Sequence, residues 1–182
     1  LTYDGDARSC TDCEPLAYWP MDDCYWAGNA GEVTDATGNG YDGTTVNDPQ
    51  LATGKTGNCT AGDFAESSDQ YIDAGNFNVT GEAITLAAWV KPESYQGDAR
   101  VISKAHGSGR QDHIWKLGFS DRSGETLAKL RFRLKIGGTT EELISGDQYG
   151  VNNWMHIAAV YDGSEMILYK DGTEITSMSA SG

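Results

Sequence analysis

The sequence predicts an all-β protein, an antiparallel two-sheet sandwich, on three observations. Asn153 to Gly172 holds two apolar runs, Trp154–Tyr161 and Met166–Tyr169, on either side of Asp162-Gly163, and a second Asp-Gly (Asp171-Gly172) follows directly. Asp-Gly between β-prone runs signals a hairpin, because both positions of a two-residue turn need φ > 0. Leu127 to Ile136 alternates cleanly, with Leu130, Phe132, Leu134 and Ile136 on one side and Lys129, Arg131, Arg133 and Lys135 on the other. The 182 residues include 23 glycines and show no helical period, repeat or low-complexity tract. Many short strands joined by tight turns is the pattern of a sandwich.

In chain order, residues 1–15 read as a polar, cysteine-containing extension, and residues 16–182 as one sandwich domain. Ala17–Asp23 is expected as the first strand, with Trp19, Met21 and Asp23 on one face. From Asn29 to Asp63 the composition favours loops and short edge strands, with turns at Gly38-Asn39-Gly40 and Asn47-Asp48-Pro49. Asp69–Phe77 and Ala83–Lys91 are expected strands, the second ended by Pro92. Val101–Ser103, Ile114–Phe119 and Leu127–Ile136 follow, split by turns at Gly107, Gly124 and Gly137-Gly138. Both faces of the Trp154–Tyr161 run are apolar, which predicts a strand covered on both sides, with His156 a satisfied core histidine.

Twenty-seven acidic residues against 13 Lys plus Arg give a formal charge of −14, with a pI of about 4.4. Phosphate backbones need basic surface, so nucleic acid is not expected as a partner, nor an anionic membrane surface. No apolar run approaches the roughly 20 residues of a spanning helix, and no signal peptide is visible. A chain opening on Leu1 reads as a processed or excised piece. The charge suits an extracellular protein that meets Ca²⁺, a cation that takes oxygen ligands.

All four cysteines, Cys10, Cys13, Cys24 and Cys59, fall in the first third. Cys10 and Cys13 form a Cys-x-x-Cys, but a structural zinc site wants a second pair or added histidines, and His106, His113 and His156 are far downstream. Disulfides are the expectation, with Cys24–Cys59 and Cys10–Cys13 as the pairing among three possible. Asn58-Cys59-Thr60 and Asn78-Val79-Thr80 match the glycosylation sequon, a short motif that also arises by chance.

Chemistry at defined spacing is sparse. A retaining glycosidase needs two carboxylates about 5–5.5 Å apart, which on one strand means alternate positions. Glu141 and Glu142 are consecutive, and Asp121 and Glu125 lie in a turn. No nucleophile elbow, zinc-protease helix or phosphate loop is present. An enzyme is not expected.

Four segments carry a resemblance. They are Ala17-Tyr18-Trp19-Pro20-Met21-Asp22-Asp23, Asp35-Ala36-Thr37-Gly38-Asn39-Gly40-Tyr41-Asp42-Gly43-Thr44, Ile84–Pro92, and Trp154-x-His156-x-Ala158-x-Val160-Tyr161-Asp162-Gly163 with Met166–Gly172. In this order they resemble the laminin-G-like domains of the concanavalin A-like superfamily, which implies a jelly roll. The resemblance also implies a structural Ca²⁺ held by Asp23 and by Asp35 and Asn39 of the Asp-x-x-Gly-x-Gly loop; the other reading is that Asp35 only caps a turn. Such domains usually end on a closing strand that does not precede Ser181-Gly182, and the expectation is that this strand is either missing or supplied by another chain. Trp19–Cys24, Gly31–Asp35 and Gly57–Phe64 are similar to modules of bacterial pilus-associated proteins of the mannose-sensitive haemagglutinin type. The implied function is a secreted or surface-displayed adhesive module that binds a glycan or surface glycoprotein. The alternative is an assembly domain packing against neighbouring subunits of a surface fibre.

If a ligand binds, Lys129–Lys135 offers a cationic stripe, with Arg131, Arg133 and Lys135 at its centre, Lys116 on the preceding strand extending it, and Trp89 as a stacking face for a sugar ring. The competing reading is a set of solvated charges paired with Glu141 and Glu142 on the next strand.

Overall fold

The computed structural model describes residues 14–57, 60–95, 97–120 and 126–182. In chain order the strands are β1 (Thr44–Val46), β2 (Gln50–Ala52), β3 (Ala61–Asp63), β4 (Tyr71–Asp73), β5 (Ile84–Val90), β6 (Arg100–Ala105) and β7 (His113–Ser120). They continue with β8 (Leu127–Ile136), β9 (Thr139–Ile144), β10 (Tyr149–Gly150), β11 (Met155–Tyr161), β12 (Glu165–Lys170) and β13 (Thr173–Ser179). The chain divides into two compact units, Leu1–Val79 and Thr80–Gly182.

The first unit has little regular structure. β1 pairs with β4 and β2 with β3, all antiparallel and three residues long. The expected strand over Ala17–Asp23 does not form. Met21 and Cys24 take φ of 61° and 55°, which breaks the extended path. Tertiary hydrogen bonds hold the segment instead: Ala36 N–H donates to the Tyr18 carbonyl at 2.8 Å and Trp19 Nε1 to the Tyr41 carbonyl at 2.8 Å. The strand expected over Asp69–Phe77 contracts to Tyr71–Asp73, because Asp69 sits at φ 50° and Gly75 at φ 75°. Cys24 is exposed, while Cys10, Cys13 and Cys59, and with them the pairing expected of all four, lie outside the described residues.

The second unit is an antiparallel sandwich. One sheet runs β13-β12-β11-β5, and the other β6-β7-β8, with β9 and β10 both beside β8. The alternation in β8 dictates the second sheet: Leu130 and Phe132 are fully buried, and each pairs across β7 with an equally apolar residue, Phe119 and Leu117. In the four-stranded sheet Ile157, Ala159, Met166 and Leu168 have no exposed surface. Each large side chain removed from water in this way contributes roughly 1.5–3 kcal/mol.

Turn chemistry sets the registers. Gly137-Gly138 joins β8 to β9, with φ of 56° and 89°. Asp171-Gly172 joins β12 to β13, with φ of 50° and 81°. These are the two-residue turns with both φ positive. Asp162-Gly163 is a longer turn. Only Gly163 has positive φ (99°), and the Asp162 carboxylate accepts from Ser164 N–H, Ser164 Oγ and Glu165 N–H at 2.8–2.9 Å. β11 does lie inside its sheet, between β5 and β12, but its second face is only partly covered. His156 is half-buried on that outer face, its ring 5.4 Å from Trp89, so it is not a core residue.

Gly172 carries a left-handed φ that a β-branched side chain resists. Gly172→Val should cost roughly 1–2 kcal/mol, seen as a lower urea midpoint with an unchanged slope.

Candidate functional site

Residues directly opposite each other in a sheet share a face. The β7–β8 register places Lys116 across from Arg133 and Gly118 across from Arg131, and the β8–β9 register places Arg133 across from Glu142 and Arg131 across from Ile144. The structure therefore brings Lys116, Arg131 and Arg133 together on the side of the sheet turned away from the core. This group is not an open solvated stripe. The Lys116 side chain has no exposed surface, and those of Arg131 and Arg133 are 15% and 12% exposed.

Its centre is Asp98, in the connection between β5 and β6. Asp98 Oδ1 lies 2.6 Å from Lys116 Nζ, 2.6 Å from Arg131 Nη1 and 3.5 Å from Arg133 Nη1, and its Oδ2 lies 3.9 Å from Arg100 Nη2. Lys116 Nζ also donates to the Asp98 carbonyl at 3.0 Å. Glu142 holds the far side, with its Oε2 2.6 Å from Arg133 Nε and 3.6 Å from Arg131 Nε. The Arg131 Nε–H is buried and makes no hydrogen bond.

Gly118 admits Asp98 to this position. A Cβ at residue 118 would come within 2.2 Å of the Ala99 carbonyl oxygen, which accepts from Phe119 N–H at 2.9 Å. Only a glycine lets that connection lie on β7. Asp98 itself takes φ 62°.

The electrostatics follow from this packing. Burial pushes the Lys116 ammonium down to about 8; Asp98 pulls it up, and Arg131 and Arg133 push it down again. Burial raises the carboxyls of Asp98 and Glu142, but the neighbouring cations outweigh it and hold both below the usual range. His113 is fully buried with neither ring nitrogen hydrogen-bonded. Burial, then Arg133, Lys116 and Arg100, hold its imidazole below the ordinary value.

The other candidates lie elsewhere. Lys135 is half-buried at the far end of β8, opposite Thr140. Glu141 pairs with Leu134 on the core side, so only Glu142 joins the network. Trp89 is 51% exposed on the outer face of the four-stranded sheet, paired with His156. Because it belongs to the opposite side of the sandwich, it cannot share one sugar ring's surroundings with Arg131.

The loop holding Asp35 and Asn39 is in the first unit. The Asp35 side chain is buried and accepts four donors: Tyr18 N–H at 3.0 Å, Thr37 N–H at 3.1 Å, Thr37 Oγ1 at 2.8 Å and Tyr41 N–H at 3.2 Å. A carboxylate has about four lone-pair sites, so these donors fill them. Asp23 accepts from Thr34 Oγ1 at 3.0 Å and Trp26 Nε1 at 3.4 Å, and Asn39 Nδ2 donates to the Leu16 carbonyl at 3.0 Å. Among the described residues no three His, Cys, Asp or Glu side chains form a metal-binding group. This donor set does not fit a side-chain Ca²⁺ cage; Asp35 organises the loop by hydrogen bonds. Burial raises its carboxyl, the hydrogen bonds from Tyr18, Thr37 and Tyr41 lower it, and the net position is below the usual carboxylate range.

Sequence reasoning missed Asp98 and Gly118. The signal was Gly97-Asp98 immediately before a strand, with a glycine inside the next strand. It also missed Glu32, whose carboxylate accepts from the N–H groups of Ala27, Gly28 and Asn29 and from Thr45 Oγ1.

The second unit is an antiparallel β-sandwich of two sheets. Residues 66–182 match the laminin-G family model described as the concanavalin A-like lectin/glucanases superfamily, and the chain belongs to that family. No curated protein matches. Among solved structures, the chain is similar to the "Crystal structure of polysacchride lyase family 18 aly-SJ02 r-CATD", with 19% identity and a TM-score of 0.36 over 54% of this chain and 48% of that one. The chain thus matches about half the length of that lyase.

Two outcomes test this geometry. Gly118→Ala should push the Asp98 connection off β7 and cost about 1–3 kcal/mol in urea unfolding. Asp35→Asn should lower the melting temperature at neutral pH, while EDTA leaves the wild-type melt unchanged. A carboxyl with a depressed folded pKa stabilises above its unfolded value and loses that contribution as pH falls through the folded one. The gap between wild type and Asp35→Asn should therefore close as pH drops below about 4.

Proposed function

We propose that the chain is an extracellular glycan-binding module, displayed or secreted for adhesion, that takes its ligand on the outer face of the β6-β7-β8-β9 sheet. The observation that carries this reading is the set of cationic donors fixed on two paired strands, Lys116, Arg131 and Arg133, gathered on one face of the sheet. Strand-borne donors are held more firmly than loop-borne ones, which suits a ligand rich in hydroxyl and acidic groups. Family membership supports the carbohydrate class. Binding without turnover is part of the proposal, since among the described residues the carboxylates beside these donors, Asp98 and Glu142, are both ion-paired.

The structural Ca²⁺ expected at Asp23, Asp35 and Asn39 is not part of this proposal, because hydrogen bonds from Tyr18, Thr37 and Tyr41 already saturate the Asp35 carboxylate. The second functional reading is assembly against neighbouring subunits of a surface fibre. It is favoured by β13, which among the described residues has a strand neighbour on one side only. Size-exclusion chromatography separates the two, because a polymer that ignores sugars supports assembly.

A glycan array probed with and without Ca²⁺ should give hits that the double change Arg131→Ser, Arg133→Ser removes, in parallel with a weaker salt dependence. Hits untouched by the double change would move the ligand off this face, and new chain ends accumulating in the bound polysaccharide would show turnover.

A further inference from the structure

We propose that Asp98 is a built-in stand-in for a ligand's anionic group. On this view Lys116, Arg131, Arg133 and Arg100 form a subsite for the carboxylate or sulfate of an acidic glycan, and Asp98 fills that subsite while no glycan is bound. The inference rests on the glycan reading above and narrows it to a ligand class.

Four observations lead to it. The first is the mode of contact: one oxygen, Asp98 Oδ1, sits 2.6 Å from both Lys116 Nζ and Arg131 Nη1 and 3.5 Å from Arg133 Nη1. Converging charge-assisted donors hold a bound oxyanion in the same way. The second is the direction of approach. The carboxylate comes from a connecting segment and is 37% exposed, while the three strand-borne cations beneath it are between 0% and 15% exposed. A ligand's oxyanion would arrive from the same side.

The third is charge. Among the described residues, the carboxylates that ion-pair with Lys116, Arg100, Arg131 and Arg133 are Asp98 and Glu142, two negative groups against four positive ones on a chain of net charge −14. The fourth is donor capacity. Asp98 engages Arg131 through Nη1 alone, while Arg131 Nε reaches Glu142 Oε2 only at 3.6 Å. A free carboxylate or sulfate can bridge a guanidinium by two parallel bonds, which a carboxylate tethered to the backbone beside Ala99 does not do here.

The test uses the full chain and three polymers: polygalacturonate for carboxylate, dextran sulfate for sulfate, and dextran as the neutral control. Wild type should bind one or both polyanions at low salt, more weakly at about 0.15 M, and should not bind dextran. Asp98→Asn keeps the shape and removes the competing charge, so it should bind the same polyanion about tenfold more tightly, the effect of roughly one charge contact. Tightening with polygalacturonate alone assigns carboxylate, and with dextran sulfate alone assigns sulfate. An Asp98→Asn protein that keeps its β-sheet spectrum and binds no tighter overturns the proposal.

If that variant does not fold, amide exchange on wild type decides. Polygalacturonate or dextran sulfate that displaces Asp98 should speed exchange of Phe119 N–H, which donates to Ala99. Unchanged exchange, or no binding at low salt, overturns the proposal. Glycan-array hits restricted to neutral sugars would overturn it and leave the glycan reading standing. Equal tightening by Asp98→Asn toward polyglutamate would keep the anion subsite and remove the glycan reading.

Discussion

Strand β8 has to bury one side and charge the other, and the rest of the second unit depends on that constraint. Leu130, Phe132, Leu134 and Ile136 face the opposing sheet, and the period of two then puts Arg131, Arg133 and Lys135 outside. Core pairs fix the register on both flanks, with Leu117 opposite Phe132 on β7 and Leu143 opposite Phe132 on β9. A slip of one residue would carry both arginines into the core. Apolar packing therefore decides which charges meet across the strands.

What meets is not favourable by itself. Lys116 and Arg133 are like charges directly across from each other, an arrangement that destabilises a sheet. A carboxylate above them is the remedy, and Asp98 supplies it from outside the sheet. That remedy needs Gly118, because any side chain there would meet the Ala99 carbonyl. One glycine in β7 and one left-handed aspartate are thus coupled to two arginines on β8. Burial and the two arginines still outweigh Asp98 at Lys116, which is why its ammonium sits near 8.

Parts of this were legible in the sequence and parts were not. Hydrophobic alternation located β8 to the residue, Gly-Gly located its hairpin with β9, and Asp-Gly located the hairpins of β11, β12 and β13 in the other sheet, because these signals are local. The Ala17–Asp23 strand failed because Met21 and Cys24 break into positive φ, and the hydrogen bonds that hold the segment come from residues far along the chain. Trp89 was assigned to the stripe by parity alone, which gives a face but not a sheet. Asp98 was invisible because a residue in a connection acquires its partners only through the packing of that connection. Lys116 was expected near the stripe, but its complete burial follows from Asp98 and could not be read without it.

The network's composition bears on why it is charged at all. A buried ion cluster contributes little net stability, and apolar residues of similar volume often serve as well. The same outer face already accommodates apolar side chains, since Ile144 lies directly opposite Arg131 and Ile114 is two residues from Lys116 on β7. Packing alone would therefore admit aliphatic residues where Lys116, Arg131 and Arg133 stand, without the carboxylates that now have to answer them. Stability is a weak reason for the four cations that, among the described residues, pair with two carboxylates, whereas the anion recognition proposed above would use that surplus. The surplus, more than any single ion pair, is what the proposed anion subsite rests on.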